Sequence, residues 1–450
     1  MIKPDQSRSG SLALIFLTTQ VGIISCLASL CCPAQTTLSV SPPAVVLTPA
    51  RMEHFGLGLT PDGSMMKVLD DDEPLFFAAN GGPRDGTSSG AIALVIRDES
   101  DLTADVPDRR PRGLTDYARL QPAFTNAGGD AVPSLRSGFL DPPPDPTVGG
   151  AFPAGTSFDR DYAGGGPVYA DRVSSSLLMV YHGEYHSDYP AGSPFYTTLG
   201  LAISRDGGRS FAKLGPMIRP EIPPAVIRTM ASSSGSLVVV GEFFYLYYSD
   251  MSADGTCDGV EPGNEISGVP CVTVARAKIA DVVDAALRGK VAPWRKYYRG
   301  GFDEPGIGGR FSPLFVPTAL HSWVRWPVVH HDAASNRYVM ADVLVGPAAS
   351  PTTLEWRESI DGIHWGGGIG LVIATAPEEI NYPGLVLLDE RASKSDDEAL
   401  QGAVTAADGS PLSLMQHFAV FFVREFDLAH LGKPYTRDLE AVVVSIRRSP

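Results

Sequence analysis

Polar side chains stand at the ends of the most apolar runs of this chain. The run at residues 177–181 is followed by His182, Glu184 and His186. Residues of the same kind open or close the other runs. The whole set is Asn80, Asp161, His182, Glu184, His186, Asp250, Arg325, Trp326, Asp342 and Asn381. These side chains can transfer protons, bind hydroxyl and carboxylate groups, or stack on flat ligands.

Two carboxyl groups in different protonation states can cleave a glycosidic bond. One must donate a proton to the leaving oxygen, and the other must be ionised as base or nucleophile. Glu184 ends the most apolar run between two histidines, so we expect it to be partly desolvated and to keep its proton. Asp161 precedes the same run and Asp250 ends the next one. We predict Glu184 as the acid, with Asp161 or Asp250 as its ionised partner.

The other polar residues are predicted to bind the substrate. Arg325 is expected to keep a carboxylate ionised, or to hold a hydroxyl or carboxylate group of the substrate. Trp326 offers a flat face on which a sugar can stack. The full set of predicted substrate-binding residues is Asn80, His182, His186, Arg325, Trp326, Asp342 and Asn381. We predict neither a metal site nor a cofactor.

A repeated strand pattern has to bring these residues together. Short runs rich in Val, Ile, Tyr and Phe, divided by Gly or Asp turns, recur in sets about every seventy to eighty residues. This rhythm predicts an all-β fold, a five-bladed β-propeller with four-stranded antiparallel blades. Residues 276–290 have apolar residues at helical spacing and predict one short helix inserted in blade three. In a blade, the first strand begins and the second strand ends at the same channel mouth, so the candidates gather there.

Two turn sequences resemble a motif of known propellers. Residues 204–211 (SRDGGRSF) resemble the Asp box of sialidases. Residues 359–365 (SIDGIHW) match the same motif less well. In such a turn an Asp caps backbone N–H groups, a Gly supplies a positive φ, and the aromatic residue packs into the blade. These turns indicate the fold and not the reaction, because they join third to fourth strands on the face away from the usual site.

The arrangement as a whole resembles the five-bladed glycosidase propellers, which include arabinanases, β-xylosidases and fructan hydrolases. The resemblance spans most of residues 55–450 and implies three acidic residues on different blades around the channel. The chain differs from those enzymes in blade four, where Arg325-Trp326-Pro327 stands instead of Glu-Gly-Pro. Blade one has no clear Asp-Pro. The competing interpretation is a non-catalytic surface propeller that binds carbohydrate or protein at the same mouth.

The first residues and the cysteines indicate an exported protein. Residues 1–34 combine basic residues, an apolar run and a small-residue end, which predicts a secretory signal peptide. Alternatively, Cys26 lies in a loose lipoprotein motif and would carry a lipid anchor. Cys257 and Cys271 are expected to form a disulfide in an oxidising compartment, since no nearby His or Cys suits a metal site. We predict an extracellular, periplasmic or cell-surface location.

Composition and charge narrow the domains and partners. Residues 35–50 are rich in Ser, Thr and Pro and are predicted to be a flexible spacer before a single propeller domain at 51–450. The chain has 51 acidic against 36 basic residues and a net charge of -15. Such a surface repels phosphate backbones, so we predict no nucleic-acid partner. No segment after the signal is expected to span a membrane, and we predict a monomer that binds carbohydrate.

Overall fold

A computed structural model gives the fold as strands and one short helix. The residues that it describes are 36–48, 66–69, 75–79, 91–95, 158–159, 162–164, 166–186, 195–205, 211–222, 233–251, 270–317, 322–332, 335–346, 351–388, 414–426 and 436–448. In these ranges, twenty-two strands form four sheets. The strands carry the apolar and β-branched runs that the sequence places there, which accounts for the class of fold.

The first ten strands include one sheet of eight. Two strands near the N-terminus, β1 (Thr36–Val40) and β2 (Ala44–Leu47), belong to the last sheet of the chain. The eight-stranded sheet has the order β10-β9-β8-β7-β3-β4-β5, with β6 paired to β8. Its strands are β3 (Met66–Leu69), β4 (Leu75–Ala79), β5 (Ala91–Val95), β6 (Tyr162–Gly164), β7 (Val168–Asp171), β8 (Ser176–His186), β9 (Phe195–Ser204) and β10 (Ala212–Ile218).

The next sheet has five antiparallel strands in sequence order, and the helix lies in the chain between its third and fourth strands. The strands are β11 (Ser233–Val240), β12 (Phe243–Met251), β13 (Pro270–Lys278), β14 (Arg295–Tyr298) and β15 (Gly301–Pro305). The helix α1 (Ile279–Leu287) follows β13 directly and buries Val282, Ala285 and Ala286. Gly289, at φ +72°, allows the chain to turn back after it. The prediction of one short helix in blade three is therefore confirmed among the described residues.

The last two sheets complete the described fold. One is the four-stranded sheet of β16 (Trp323–Asp332), β17 (Arg337–Val345), β18 (Thr352–Ser359) and β19 (Ile369–Ala374). The other contains β20 (Glu378–Leu387), β21 (Leu414–Phe426) and β22 (Thr436–Arg448), and it ends with β1. Residues 36–40 pair in antiparallel register with residues 444–448. The prediction of a flexible spacer is corrected here, because this segment adds the fourth strand to the last sheet.

These sheets are the blades of a β-propeller. Within each four-stranded unit, sequence neighbours pair antiparallel in the order first to fourth strand. The first strands of successive units pack on one another, β11 on β16 and β16 on β20. Apolar side chains fill the spaces between the units, such as Leu246 toward β8–β10 and Met340 toward β11–β13. The all-β propeller with four-stranded antiparallel blades is thus confirmed.

The predicted count of five blades is not what the structure shows. It has four sheets in the ranges given above, and the strands predicted as blades one and two share the eight-stranded sheet. The link between them is a short parallel pairing of Val68 with Val168 and Leu69 with Tyr169. Each of these strands is the first of its predicted blade.

The turn between β18 and β19 has contacts that fit its sequence. The Asp361 carboxylate accepts backbone hydrogen bonds from Ile363 and His364 at 2.9 and 2.8 Å. Burial opposes its ionisation, but these bonds and the His364 side chain hold the pKa of Asp361 well below its usual range. Gly362 has φ +73°, and the Trp365 ring packs edge-on against Tyr247. The residues at 206–210 of the other turn lie outside the described ranges, so its likeness to an Asp box stays a prediction.

Candidate functional site at the propeller rim

One edge of the propeller collects the strand ends that carry the candidate residues. We call this edge the rim: β8, β12, β17 and β21 end there, and β11, β16 and β20 begin there. The register shows this directly, since Ser233 pairs with Ser249, Trp323 with Val345 and Glu378 with Phe426. Between blades, the backbone N–H of Trp326 donates to the Ser249 hydroxyl at 3.2 Å. The end of β12 therefore meets the start of β16 at the rim.

Glu184 and His182 form a hydrogen-bonded pair at the end of β8. Successive side chains of a strand alternate between its faces, so these two residues share one face. His182 Nε2 lies 2.8 Å from Glu184 Oε1. The Glu184 side chain is 15 % exposed, which leaves the carboxyl shielded but reachable from solvent. A solvent-accessible carboxyl that is held in place by a hydrogen bond is a group that can transfer a proton to or from a bound substrate.

Arg325 and Asn381 meet at the starts of β16 and β20. Arg325 Nη2 donates to Asn381 Oδ1 at 2.5 Å, and the Glu379 carboxylate lies 3.6 Å from the same nitrogen. The Arg325 side chain is 15 % exposed. Burial lowers the pKa of Arg325, although Glu379 and Glu425 act in the opposite sense. The structure therefore brings two predicted binding residues together on neighbouring blades.

Two strained aromatic residues stand directly behind this pair. Trp326 follows Arg325 and Tyr382 follows Asn381, each precedes a proline, and they have φ of +54° and +47°. Positive φ is costly for a bulky residue and persists only where the surroundings impose it. Here the rings pack together with centroids 4.5 Å apart, and the Arg325 guanidinium lies 3.8 Å above the Trp326 ring. Since Trp326 is only 4 % exposed, it supports Arg325 and offers little surface for sugar stacking.

Asp250 lies in a buried ion pair. Its side chain has no exposed surface, and its Oδ2 lies 2.7 Å from Lys296 Nζ, which is equally buried. Lys296 also donates to the Arg219 carbonyl at 2.7 Å, while the Met251 N–H donates to Asp250 Oδ1. Burial lowers the pKa of Lys296 and Asp250 opposes that shift. In this conformation the Asp250 carboxylate cannot touch a substrate, so its predicted catalytic role gains no support.

Asp342 is also withdrawn from the surface. Arg357 Nε donates to Asp342 Oδ2 at 2.6 Å, and the Arg357 Nη2 group contacts Glu355. Asp342 Oδ1 is buried and has no hydrogen-bond partner within the described ranges. Burial raises the pKa of Asp342 to about 7, with Glu355 adding to the shift and Arg357 opposing it. Asp342 thus lies inside the space between two blades, a position that strand ends alone did not reveal.

Several predicted residues cannot be placed. Asn80 and Asp161 lie outside the described ranges, and of His186 only the backbone is described. Cys271 is buried beside Phe311 and is disulfide-bonded. Cys257 lies outside those ranges too, so the identity of the partner stays a prediction.

Sequence reasoning missed the cations that pair with the buried carboxylates. Lys296 and Arg357 are of this kind, and so is Lys213, which lies 2.5 Å from the buried Asp159. A Lys or Arg inside an otherwise apolar strand, such as Lys213 within residues 211–218, was the available signal. Among the described residues, no group of three or more His, Cys, Asp or Glu side chains could hold a metal ion. None of the helices in that part of the chain is long and apolar enough to cross a membrane.

Comparison with known proteins gives weak structural likenesses. No family model and no curated protein matches the chain. A Penicillium chrysogenum α-L-arabinanase is similar at 9% identity and a TM-score of 0.38, over 89% of this chain and 98% of the arabinanase. An N-acetylgalactosamine deacetylase from F. plautii is similar at 10% identity and 0.36, over 91% and 95%.

A Bombyx mori GH32 β-fructofuranosidase is similar at 12% identity and a TM-score of 0.31. That match covers 58% of this chain and spans less than half, 46%, of the fructofuranosidase. At this level of similarity, none of these three proteins assigns an activity to the chain. The candidate site has to be judged on its own geometry.

Proposed function

We propose that this chain is a glycoside hydrolase-like protein that acts on a poly- or oligosaccharide at the rim, with Glu184 as the proton donor. The observation that carries the proposal is the 2.8 Å contact between Glu184 and His182 at the end of β8. Among the carboxylates predicted to be catalytic, Glu184 is the one that is both described and partly exposed. Its position beside His182 at a strand end lets it reach the leaving oxygen of a substrate bound at the rim.

The chemistry assigns a clear task to each group. Glu184 passes its proton to the glycosidic oxygen as the bond between that oxygen and the anomeric carbon breaks. An ionised carboxylate, for which we retain Asp161, either attacks that carbon or removes a proton from the attacking water. Glu379 is a second choice for this role because it is 54 % exposed at the same rim. Asp250 is not retained, since its carboxylate is fully buried with Lys296.

A substrate screen followed by one substitution tests the proposal. The protein is incubated with a panel of plant, fungal and bacterial glycans, and released reducing ends are measured. With any substrate found, Glu184→Gln should lower turnover by about a hundredfold or more, because the amide cannot donate a carboxyl proton. Glu242→Gln is the matched control, since Glu242 is 67 % exposed at the hairpin opposite the rim. A folded Glu184→Gln protein with unchanged turnover would remove Glu184 from the mechanism.

One observation favours the second candidate function, a non-catalytic carbohydrate- or protein-binding propeller. Asp250 and Asp342 are both withdrawn between blades, so two of the carboxylates predicted at the rim are not available to a substrate. The same glycan panel decides between the two functions. Binding of a glycan without any release of reducing ends, at high protein concentration and over several pH values, would select the binding function.

We also propose five blades, export and the disulfide. The parallel link between β3 and β7 suits inner strands of adjacent blades, because inner strands of a propeller all run in one direction while pairs inside a blade run antiparallel. Export would remove residues 1–34, or lipidate Cys26, and would place the protein outside the cytoplasm as a monomer. N-terminal sequencing of the secreted protein tests export, and mass spectrometry of unreduced Cys257 and Cys271 peptides tests the disulfide.

A further inference from the structure

Arg325 has hydrogen-bonding capacity that the protein does not use. A guanidinium carries five N–H donors and no acceptor. Arg325 Nη2 donates to Asn381, but Arg325 Nε is buried and has no partner among the residues that the structure describes. Such an unused buried donor is costly, and a ligand that accepts the bond would recover the cost.

The nearby carboxylates do not neutralise Arg325. Glu425 lies 2.8 Å from Arg437 and is engaged there. Glu379 lies 3.6 Å from Arg325, outside ordinary hydrogen-bond distance, and is 54 % exposed. An exposed carboxylate at that distance contributes little and can be displaced. A ligand carboxylate can therefore take the place of Glu379 beside Arg325.

Arg325 also fixes the orientation of Asn381. Because a guanidinium can only donate, Asn381 must present its Oδ1 to it, as the 2.5 Å contact shows. The Asn381 amide nitrogen is then turned away from Arg325 as a second donor. Two donor groups from neighbouring blades therefore lie side by side, and the 15 % exposure of the Arg325 side chain lets a ligand group that only accepts hydrogen bonds approach them.

The backbone holds this pair in place through two matching bulges. The register of β16 shifts between Arg325 and Val328, and that of β20 shifts between Asn381 and Gly384. Each bulge contains an aromatic residue at positive φ followed by a proline, and the two rings pack together. Strain of this kind is found at ligand sites, where it positions the side chains before binding.

We propose that Arg325 and Asn381 bind the carboxylate of an acidic sugar, so that the substrate class at the rim is a uronic-acid-containing oligosaccharide. This inference rests on the proposed glycan-directed function and names its substrate. The net charge of -15 works against a ligand with many charges. At physiological salt, charges repel one another over only about 8 Å. A short oligosaccharide with one carboxylate at Arg325 therefore avoids most of the acidic surface, whereas a polyanion would lie close to more of it.

The test compares matched ligands by titration calorimetry. The probes are a trisaccharide that ends in glucuronic acid, its methyl ester, the neutral glucose trisaccharide and a sulfated glucose trisaccharide. We expect the acid to bind about tenfold to a hundredfold more tightly than its ester, as for a charge-assisted hydrogen bond. Arg325→Met should abolish that difference. Arg310→Gln, which removes an exposed arginine bound to Glu304, should leave it unchanged.

A second variant protects the test against misfolding. Asn381→Asp keeps Arg325 and supplies it with a carboxylate of the protein's own, so it should also abolish the preference for the acid. Equal binding of acid and ester to the wild-type protein would overturn the inference and leave the proposed function standing. A preference for the sulfated probe over the acid would overturn the choice of a carboxylate. If the protein neither binds nor cleaves any glycan, the proposed function fails and the inference fails with it.

Discussion

The carboxyl of Asp342 should make the stability of this protein depend on pH near neutrality. Its side chain is fully buried between β17 and the preceding blade, and one of its oxygens has no hydrogen-bond partner in the part of the chain that the structure describes. Arg357 is shared between Asp342 and Glu355, so two carboxylates depend on one cation. Ionisation of both would leave a net negative charge inside the fold, which is expensive without water. The substitution Asp342→Asn removes this charge and keeps the shape.

The size of the effect follows from the pKa of Asp342, which burial raises from 3.8 to about 7 on folding. A raised carboxyl pKa means that the folded protein holds the proton more tightly than the unfolded chain does. The stabilisation is therefore fully present below about pH 4 and is lost as the pH rises to about 7. Each pKa unit is worth about 1.4 kcal/mol, so the total is about 4 kcal/mol, of which about 3 kcal/mol is lost between pH 5 and 8.

The assay is denaturant unfolding at pH 5, 6, 7 and 8 for the wild type, Asp342→Asn and the control Asp303→Asn, which changes an exposed carboxyl. The free energy of unfolding of the wild type should fall by about 3 kcal/mol more than that of Asp342→Asn over this range. The control should follow the wild type. Parallel curves for the wild type and Asp342→Asn would show that Asp342 ionises normally and would refute the reasoning.

Three further predictions concern what holds the propeller together. Lys296→Met should lower the free energy of unfolding by about 3–5 kcal/mol, because it leaves the Asp250 carboxylate buried without its cation; a loss in denaturant unfolding below about 1 kcal/mol would contradict this. Deletion of residues 36–40 should lower the melting temperature by several degrees, since it exposes the edge of β22. An unchanged melting temperature would show that this strand adds little to the stability of the last sheet. Gly362→Ala should cost about 1–3 kcal/mol, as Gly362 has φ +73° and its added Cβ would lie 2.4 Å from the Tyr247 hydroxyl; an unaltered unfolding curve would refute that strain.

Much of the fold could be predicted from local patterns. Second strands such as β12 and β17 are runs of apolar residues ended by Gly or Asp turns. The segment of helix α1 instead carries its apolar residues at helical spacing. These signals act over a few residues, so the sequence displays them directly. The pairing of β1 with β22 was missed because it joins residues about four hundred positions apart. The sequence of residues 36–40 does not identify the strand with which it pairs. A Ser/Thr/Pro-rich segment then looks like a linker until its neighbour is known.

The site was harder to predict than the strands, because a strand end does not fix the direction of a side chain. Asp250 follows the same alternation as Tyr248 and Leu246, whose side chains pack toward the preceding blade. One residue of difference decides whether a carboxylate faces the channel or the interior. Glu184 and Asp250 each end a second strand, yet the first is partly exposed beside His182 and the second is fully buried with Lys296.

The partners of a charged side chain therefore distinguish structural from functional groups better than the position of the residue in the sequence does. Arg424 illustrates the structural kind: it donates two hydrogen bonds to Glu440 and one to Glu378, so two carboxylates of the protein already balance its charge. Arg325 stands in the neighbouring blade with an unused donor and a distant, exposed carboxylate. Both arginines lie at the rim, and both would look alike in a sequence. Because a hydrogen bond to a ligand contributes most where the protein has not already made a good one, the rim site should be sought at Arg325 and at the Glu184–His182 pair.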